Sequence, residues 1–424
     1  MPMPDWNFVS LIIILVLLFL WKLELIAVLL DRKSEPQSIP KALEGVMDDS
    51  TLQKGRSYRM ERARFGVFRS TVHLSLLLVF WLAGGFGWLD STARSFFGDG
   101  IPAGLGFLGV WFLIHAIIDL PFDIWDTFHL ENRYGFNRST PATFAMDRIK
   151  GLALALVLGL PIASALLWIL GSLSHAWLWA WLALAMFQLL MVWLAPSYIM
   201  PLFNRFSPMP DGDLKSSIQE LGKNCSFPLD GVFVMDGSRR STKANAFFTG
   251  FGKHKKIALF DTLIHTCSKD EILAVLAHEI GHFRCGHIRR RLIAGMLNLG
   301  VLCFLLGICT DPSSTAARIL FDAFGVKSIS PHVGLVLFGI LMSPVSTLVA
   351  VALNAWSRKH EFEADSFARN TLGTGTHLAS ALLRMTSDHL AHPCPANLRI
   401  WLDYSHPPLL ERIRALENTG IRGG

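Results

Sequence analysis

His278-Glu279-Ile280-Gly281-His282 forms an H-E-x-x-H pentad. On an α-helix, residues four apart share a face. His278 and His282 can therefore hold a single zinc ion, with Glu279 beside it to act on a water. Two imidazoles are too few, because a hydrolytic zinc usually takes three protein ligands and keeps one position for water. His287 is nine residues beyond His278, about 900° around a continuous helix, and on that reading faces away from both histidines. Metzincin spacing is excluded, since Cys285 and Ile288 stand where that class needs Gly and His. A carboxylate ligand is found instead in Arg358-Lys359-His360-Glu361-Phe362-Glu363-Ala364-Asp365. Glu361 and Asp365 share a helical face. In a two-His-one-Glu arrangement Glu361 binds zinc, while Asp365 hydrogen-bonds the back of a ligating imidazole, that of His278. Two alternatives stay open. The run is also readable as a solvated helix face with Glu361 paired to nearby cations. Glu363 is the other candidate ligand, but no carboxylate stands one turn beyond it.

The elements that must position these residues are unusual for a soluble enzyme. Among 424 residues, 51% are hydrophobic, only 17% are charged and 13 are Trp, and the mean hydropathy is +0.40. The net charge of +6 reads as basic loops beside a membrane, not as a nucleic-acid surface, and no nucleic-acid partner is expected. The six cysteines form no C-x-x-C pair, so reduced thiols are expected and neither a disulfide framework nor a cysteine zinc site.

Seven apolar stretches, at about 7–30, 67–89, 101–124, 150–170, 176–200, 292–310 and 331–356, are long enough to cross a hydrocarbon core. The first fits a signal peptide poorly, because Asp5 precedes it and no small-residue cleavage site follows. Lys22 and Glu24 interrupt it; Lys22 can snorkel to an interface, whereas Glu24 is expected to face protein or a water-filled space. Pro344 should kink the seventh span. Residues 31–70, 125–150, 201–291 and 357–424 carry nine, four, fourteen and eight Lys or Arg, against one, none and two in 90–100, 171–175 and 311–330. That asymmetry places the N-terminus outside and the pentad and C-terminus in the cytoplasm.

The expected organisation is an α-helical polytopic membrane protein with an interrupted α+β domain that carries the pentad. Residues 1–200 hold spans one to five and 201–291 hold a small sheet and the pentad helix. Residues 292–356 hold spans six and seven, and 357–424 carry the third ligand and C-terminal helices. Within 201–291, a helix is expected at 211–223 and strands at 231–235 and 256–260. Ser268-Lys269-Asp270-Glu271 is a capping box that opens the pentad helix. The last segment is broken at 393–395 and at Pro407-Pro408. There is no internal repeat and no low-complexity segment.

The E-F-E-A-D run following H-E-I-G-H resembles the M48 zinc metalloproteases. Further stretches resemble their type I CAAX prenyl protease branch: Tyr134-Gly135-Phe136-Asn137-Arg138, Met200-Pro201-Leu202-Phe203-Asn204, Val234-Met235-Asp236-Gly237-Ser238, Asn245-Ala246-Phe247 with Gly250-Phe251-Gly252, Leu259-Phe260-Asp261-Thr262, and Ser405-His406-Pro407-Pro408 with Arg412. The compact loops resemble those of a bacterial member, which would reside in the inner membrane; a eukaryotic member would reside in the endoplasmic reticulum, although Thr419 to Gly424 shows no retrieval signal.

The resemblance implies a barrel of seven helices around a water-filled chamber, closed on the cytoplasmic side by a zincin-like domain. It implies one zinc per chain, held by His278, His282 and Glu361, with Glu279 as general base and Asp365 behind a ligand. Asn245, Ala246 and Phe247 would form an edge strand that pairs with the substrate backbone. His406 and Arg412 would donate to the oxyanion; read without the resemblance, they mark a helix start and a surface arginine. The implied activity is endoproteolysis near the C-terminus of prenylated or membrane-associated proteins. A membrane quality-control protease, or a scaffold or transporter with structural zinc, are the alternatives. Oligomeric state is not indicated.

Overall fold

The computed structural model describes residues 7–249 and 255–417. Gly250-Phe251-Gly252 and the Thr419 to Gly424 terminus lie outside the described residues. Seven helices are long and apolar enough to cross a membrane: Phe8–Lys33, Asp49–Leu82, Ile101–Glu131, Pro141–Ser172, Ala176–Phe203, His287–Thr310 and Pro331–Leu372. They fall on the seven expected stretches with several ends displaced, the second stopping at Leu82 where a separate helix starts at Gly85. The second begins a further 18 residues upstream, and the seventh runs unbroken to Leu372, passing Pro344 within the helix. Leu15, Val79, Phe112, Met186, Leu297 and Leu348 are exposed on these helices, which suits hydrocarbon as the solvent. Glu24, in the first span, lines cavities shared with Arg399 and Asp403 and so avoids the lipid face.

At 42 residues the seventh helix is roughly 60 Å long, about twice the hydrocarbon thickness. Its C-terminal part therefore projects beyond the bilayer and carries Glu361 and Asp365 with it. The pentad helix, Lys269–Arg284, stands immediately before the sixth span, which starts at His287. Between them, Gly286 takes a left-handed conformation (φ +71°), letting one helix stop and the next begin within two residues.

Among the described residues four strands form one sheet, β1 (Phe206–Pro208), β2 (Leu229–Met235), β3 (Ala246–Thr249) and β4 (Lys255–Phe260), in the order β1-β2-β4-β3. β2 and β4 pair in parallel, while β1 and β3 run antiparallel to their neighbours. β3 is thus an edge strand, its inner side matching Ala246 to Leu259 and Phe247 to Ala258. Val232, Ile257 and Leu259 bury one sheet face against Ile272, Leu276 and Ile280 of the pentad helix, and Ala368, Leu378 and Ile413 close the core from the C-terminal segment. Ser268 and Glu271 form the expected capping box. Glu271 also accepts a 2.6 Å hydrogen bond from Ser380, tying the start of this helix to the Thr376–Asp388 helix.

Salt bridges join sheet and bundle. Arg240 makes a two-pronged pair with Asp147 (2.8 and 2.9 Å) in the fourth span, and Lys243 reaches Glu131 at 3.0 Å. The six cysteines are free thiols.

The pentad helix crosses the seventh helix at Gly281. A Cβ there would sit 3.1 Å from Ala364 Cα and 3.2 Å from its carbonyl oxygen. Backbone cannot yield as a side-chain tip can, so the glycine sets how close the pentad helix and the helix of Glu361 come. Gly281→Val should force them apart at a cost of about 1–3 kcal/mol. Its thermal midpoint and its retention of metal on dialysis should fall together; an unchanged midpoint would refute the contact.

Candidate metal centre and catalytic site

His278 and His282 are one turn apart on the pentad helix, and the seventh helix brings Glu361 between them. His278 Nε2 and His282 Nε2 are 3.2 Å apart, His278 Nε2 is 3.3 Å from Glu361 Oε2, and His282 Nε2 is 3.3 Å from Glu361 Oε1. Donor atoms sharing one tetrahedral zinc at bond lengths of ~2.0–2.1 Å should be about 3.3 Å from one another. The spacing fits.

The chemistry of the group fits as well. Asp365 Oδ1 lies 2.8 Å from His278 Nδ1, which keeps the proton on Nδ1 and leaves a bare lone pair on Nε2. Glu361 is 2% exposed, and its Oε2 accepts no hydrogen bond. Such a cluster calls for a cation. Burial opposes charge on His278, but its contacts with Asp365 and Glu361 outweigh that and push its pKa up to about 9. Without an ion, a proton is what the carboxylates would draw in.

Glu279 is on the same helix, beside the triad. Burial pushes its carboxyl above the usual carboxylate range, against the pull of His278 and His282. Arg412 is buried and clamps Asp365 with two hydrogen bonds, Nε to Oδ2 at 2.9 Å and Nη2 to Oδ1 at 2.6 Å. Its Nη1 points toward the triad, 3.9 Å from Glu361 Oε2. His406 Nε2 is 3.6 Å from Glu361 Oε1, yet the side chain is 64% exposed and can meet a substrate. Glu361, Asp365, His406 and Arg412 thus converge on the pentad. Glu363 points away from the triad, half exposed, and pairs with His287 at 2.9 Å.

One expectation is corrected. His287 does not face away: its Nδ1 is 3.0 Å from Nδ1 of His282. Extending one helix through nine residues assumed no break, whereas the chain turns at Gly286. The glycine just after the pentad helix was the available signal.

Asn245-Ala246-Phe247 runs into β3, which lies beside the pentad helix. The Asn245 carbonyl accepts from Phe260 N at 3.1 Å, fixing the start of the edge. Two further contacts hold this approach, neither legible in sequence. Lys243 pairs with Glu131, and Ala244 N donates to His389 Nε2 at 3.0 Å.

Comparisons with known proteins agree with this architecture. Residues 30–205 match the family model for the CAAX prenyl protease N-terminal region, described as five membrane helices, and residues 208–420 match that of peptidase family M48. The chain is 37% identical to a CAAX prenyl protease 1 homolog of Arabidopsis thaliana, covering 90% of each chain. It is 34% identical to CAAX prenyl protease 1 of Saccharomyces cerevisiae, covering 91% of this chain and 90% of that one. The crystal structure of S. mikatae Ste24p superposes with a TM-score of 0.90 at 33% identity, over 96% of this chain and 99% of that one.

The edge-strand anchor carries a pH dependence. His389 must be neutral to accept from Ala244, and burial, aided by the charge on Lys243, lowers its pKa to about 4. An unfolded histidine titrates near 6.5. Between those values the unfolded chain takes up a proton that the folded chain refuses, so stability is complete above about pH 6.5 and is lost as pH falls toward 4, by about 3 kcal/mol in all. Unfolding midpoints should drop across that window, and His389→Gln should flatten the slope. Equal slopes in the two proteins would exclude this anchor.

Proposed function

This chain belongs to peptidase family M48, and from that premise we propose that it is a zinc endopeptidase that cuts membrane-associated proteins, prenylated ones among them, near their C-termini. The observation that carries the reading is the triad of His278, His282 and Glu361 beside Glu279, assembled where two long helices leave a seven-span bundle. Two imidazoles and a carboxylate suit zinc, one ion per chain, and leave an open ligand position. When bound, the ion supplies the positive charge that acidifies a water and polarises the scissile carbonyl.

The chain's own groups do the rest. Glu279 takes a proton from the water and passes it to the leaving amine; its raised pKa makes it the stronger base for the first of those transfers. Asp365 holds His278 in the tautomer that leaves Nε2 free, and Arg412 holds Asp365. His406 and Arg412 Nη1 donate to the oxyanion as the carbonyl becomes tetrahedral. Asn245, Ala246 and Phe247 receive the substrate backbone along the open side of β3, adding a strand to the sheet.

The excess of Lys and Arg in alternate loops supports an N-terminus outside and a catalytic face in the cytoplasm. The relatives named as CAAX prenyl proteases support a prenylated substrate. An apolar groove of about 530 Å³ in the bundle, lined by Leu77, Phe80, Trp88 and Trp111, is of the size that accommodates a small lipid.

Glu279→Gln should keep its metal and its fold yet lose about 10²–10⁴-fold in kcat on a farnesylated C-terminal peptide. Wild-type turnover by that variant would remove Glu279 from the chemistry. Substrate class is tested by comparing the farnesylated peptide with the same peptide lacking its lipid. A higher kcat/KM with the lipid supports the prenyl reading; equal values would replace it with a quality-control protease.

A further inference from the structure

The Asp365 carboxylate accounts for the orientation of His278, but among the described residues no carboxylate stands at the back of His282. Its outer nitrogen faces a histidine. His282 Nδ1 and His287 Nδ1 are 3.0 Å apart, and His287 Nε2 is 2.9 Å from Glu363 Oε2. We propose that His287, held by Glu363, is the positioning residue of the ligand His282 and fixes its tautomer.

The proton order follows from valence. An ionised carboxylate only accepts, so His287 Nε2 carries the hydrogen it gives to Glu363. A neutral imidazole has one N–H, which leaves His287 Nδ1 as a bare acceptor. Across 3.0 Å it can only receive, so His282 Nδ1 carries a hydrogen and Nε2 presents its lone pair to the triad. The relay sets the same tautomer that Asp365 sets on His278.

The surroundings hold that arrangement rigidly. His287 is 1% exposed and opens the sixth span directly after Gly286, so its backbone has no slack. Its ring stacks on that of His360, with centroids 4.0 Å apart and planes 12° from parallel, and Trp356 packs against His360 in turn. Both nitrogens of the buried His360 lack hydrogen-bond partners. It therefore offers His287 a flat face and competes for neither of its nitrogens.

The proposal rests on His282 being a metal ligand, so one experiment must test the two separately. Full-length protein in detergent is titrated with cobalt(II) against a chelator, following cobalt absorption, for wild type and for His282→Ala, His287→Ala, His287→Asn and Glu363→Ala. Loss of the cobalt bands in His282→Ala establishes the ligand; wild-type binding by that variant would overturn the metal assignment itself. His287→Ala should weaken cobalt binding by about 10–100-fold and shift the bands at saturation. In His287→Asn the amide oxygen stands near the position of Nδ1 and can accept from His282, so most of the affinity should return. Glu363→Ala should fall between wild type and His287→Ala.

Unfolding midpoints of the metal-free proteins, read from the same samples, separate misfolding from lost orientation, and the Asn variant provides the comparison if the Ala variant fails to fold. Undiminished affinity in His287→Ala, or no recovery in His287→Asn, would overturn the relay. So would two cobalt ions per wild-type chain reduced to one by Cys285→Ala, because Cys285, His287 and Glu363 would then themselves hold a cation.

Discussion

Two imidazole nitrogens lie 3.2 Å apart, each 3.3 Å from one oxygen of the buried Glu361 carboxylate, and the protein's other arrangements answer to that. A carboxylate and two imidazole lone pairs at such a distance repel, or remain unsatisfied, unless positive charge lies among them. Holding them there takes a helix contact with no side chain between the partners, which Gly281 and Ala364 provide. It also takes groups behind the ligands to keep their protons on the outer nitrogens. Asp365 does this for His278, and Arg412 in turn balances the charge of Asp365. The buried ion pair adds little net stability in such a place; what it provides is orientation.

The membrane bundle supplies the geometry that a small soluble domain would otherwise build from a larger core. The triad comes from two helices, each continuous or nearly so with a membrane span, one turning into the sixth span at Gly286 and the other prolonging the seventh. Any tilt of these two spans relative to each other would move Glu361 against the histidines. Charged contacts such as Arg240 with Asp147 and Lys243 with Glu131 then fix the sheet to the third and fourth spans. The edge strand is thereby referenced to the same frame as the ligands. A peptide laid along β3, as proposed, would meet side chains whose positions the bundle has already set.

Much of this was legible in the sequence because it follows from period or composition. The seven apolar stretches, the pentad spacing and the Ser268 to Glu271 capping box are local patterns, and the structure contains each of them. Glu361 and Asp365 were legible for the same reason, four residues apart on one helix face, once the pentad demanded a third ligand. What escaped depends on a change of direction or on long-range contact. His287 was misread because a helical wheel carried through Gly286 turns it the wrong way. The clamp of Arg412 on Asp365 spans 47 residues, and the acceptance by His389 from Ala244 spans 145, so no local pattern announces either. The seventh apolar stretch ends at 356 by hydropathy, and the helical face of Glu361 and Asp365 beyond it proves to be the same helix, continuous to Leu372.

The position of the triad also bears on which substrates can use it. On the proposed reading a substrate strand adds to β3, beside the pentad helix, and that helix ends where the sixth span begins. An extended backbone advances about 3.3 Å per residue, so a chain reaching this edge from the bilayer can spend only a few residues between its membrane attachment and the scissile bond. A substrate anchored by a lipid close to its C-terminus satisfies that restriction by construction. One whose anchor is many residues away must instead loop out and pay the entropy of closing that loop. The architecture therefore favours cleavage near a membrane attachment through geometry, before any side chain recognises the substrate.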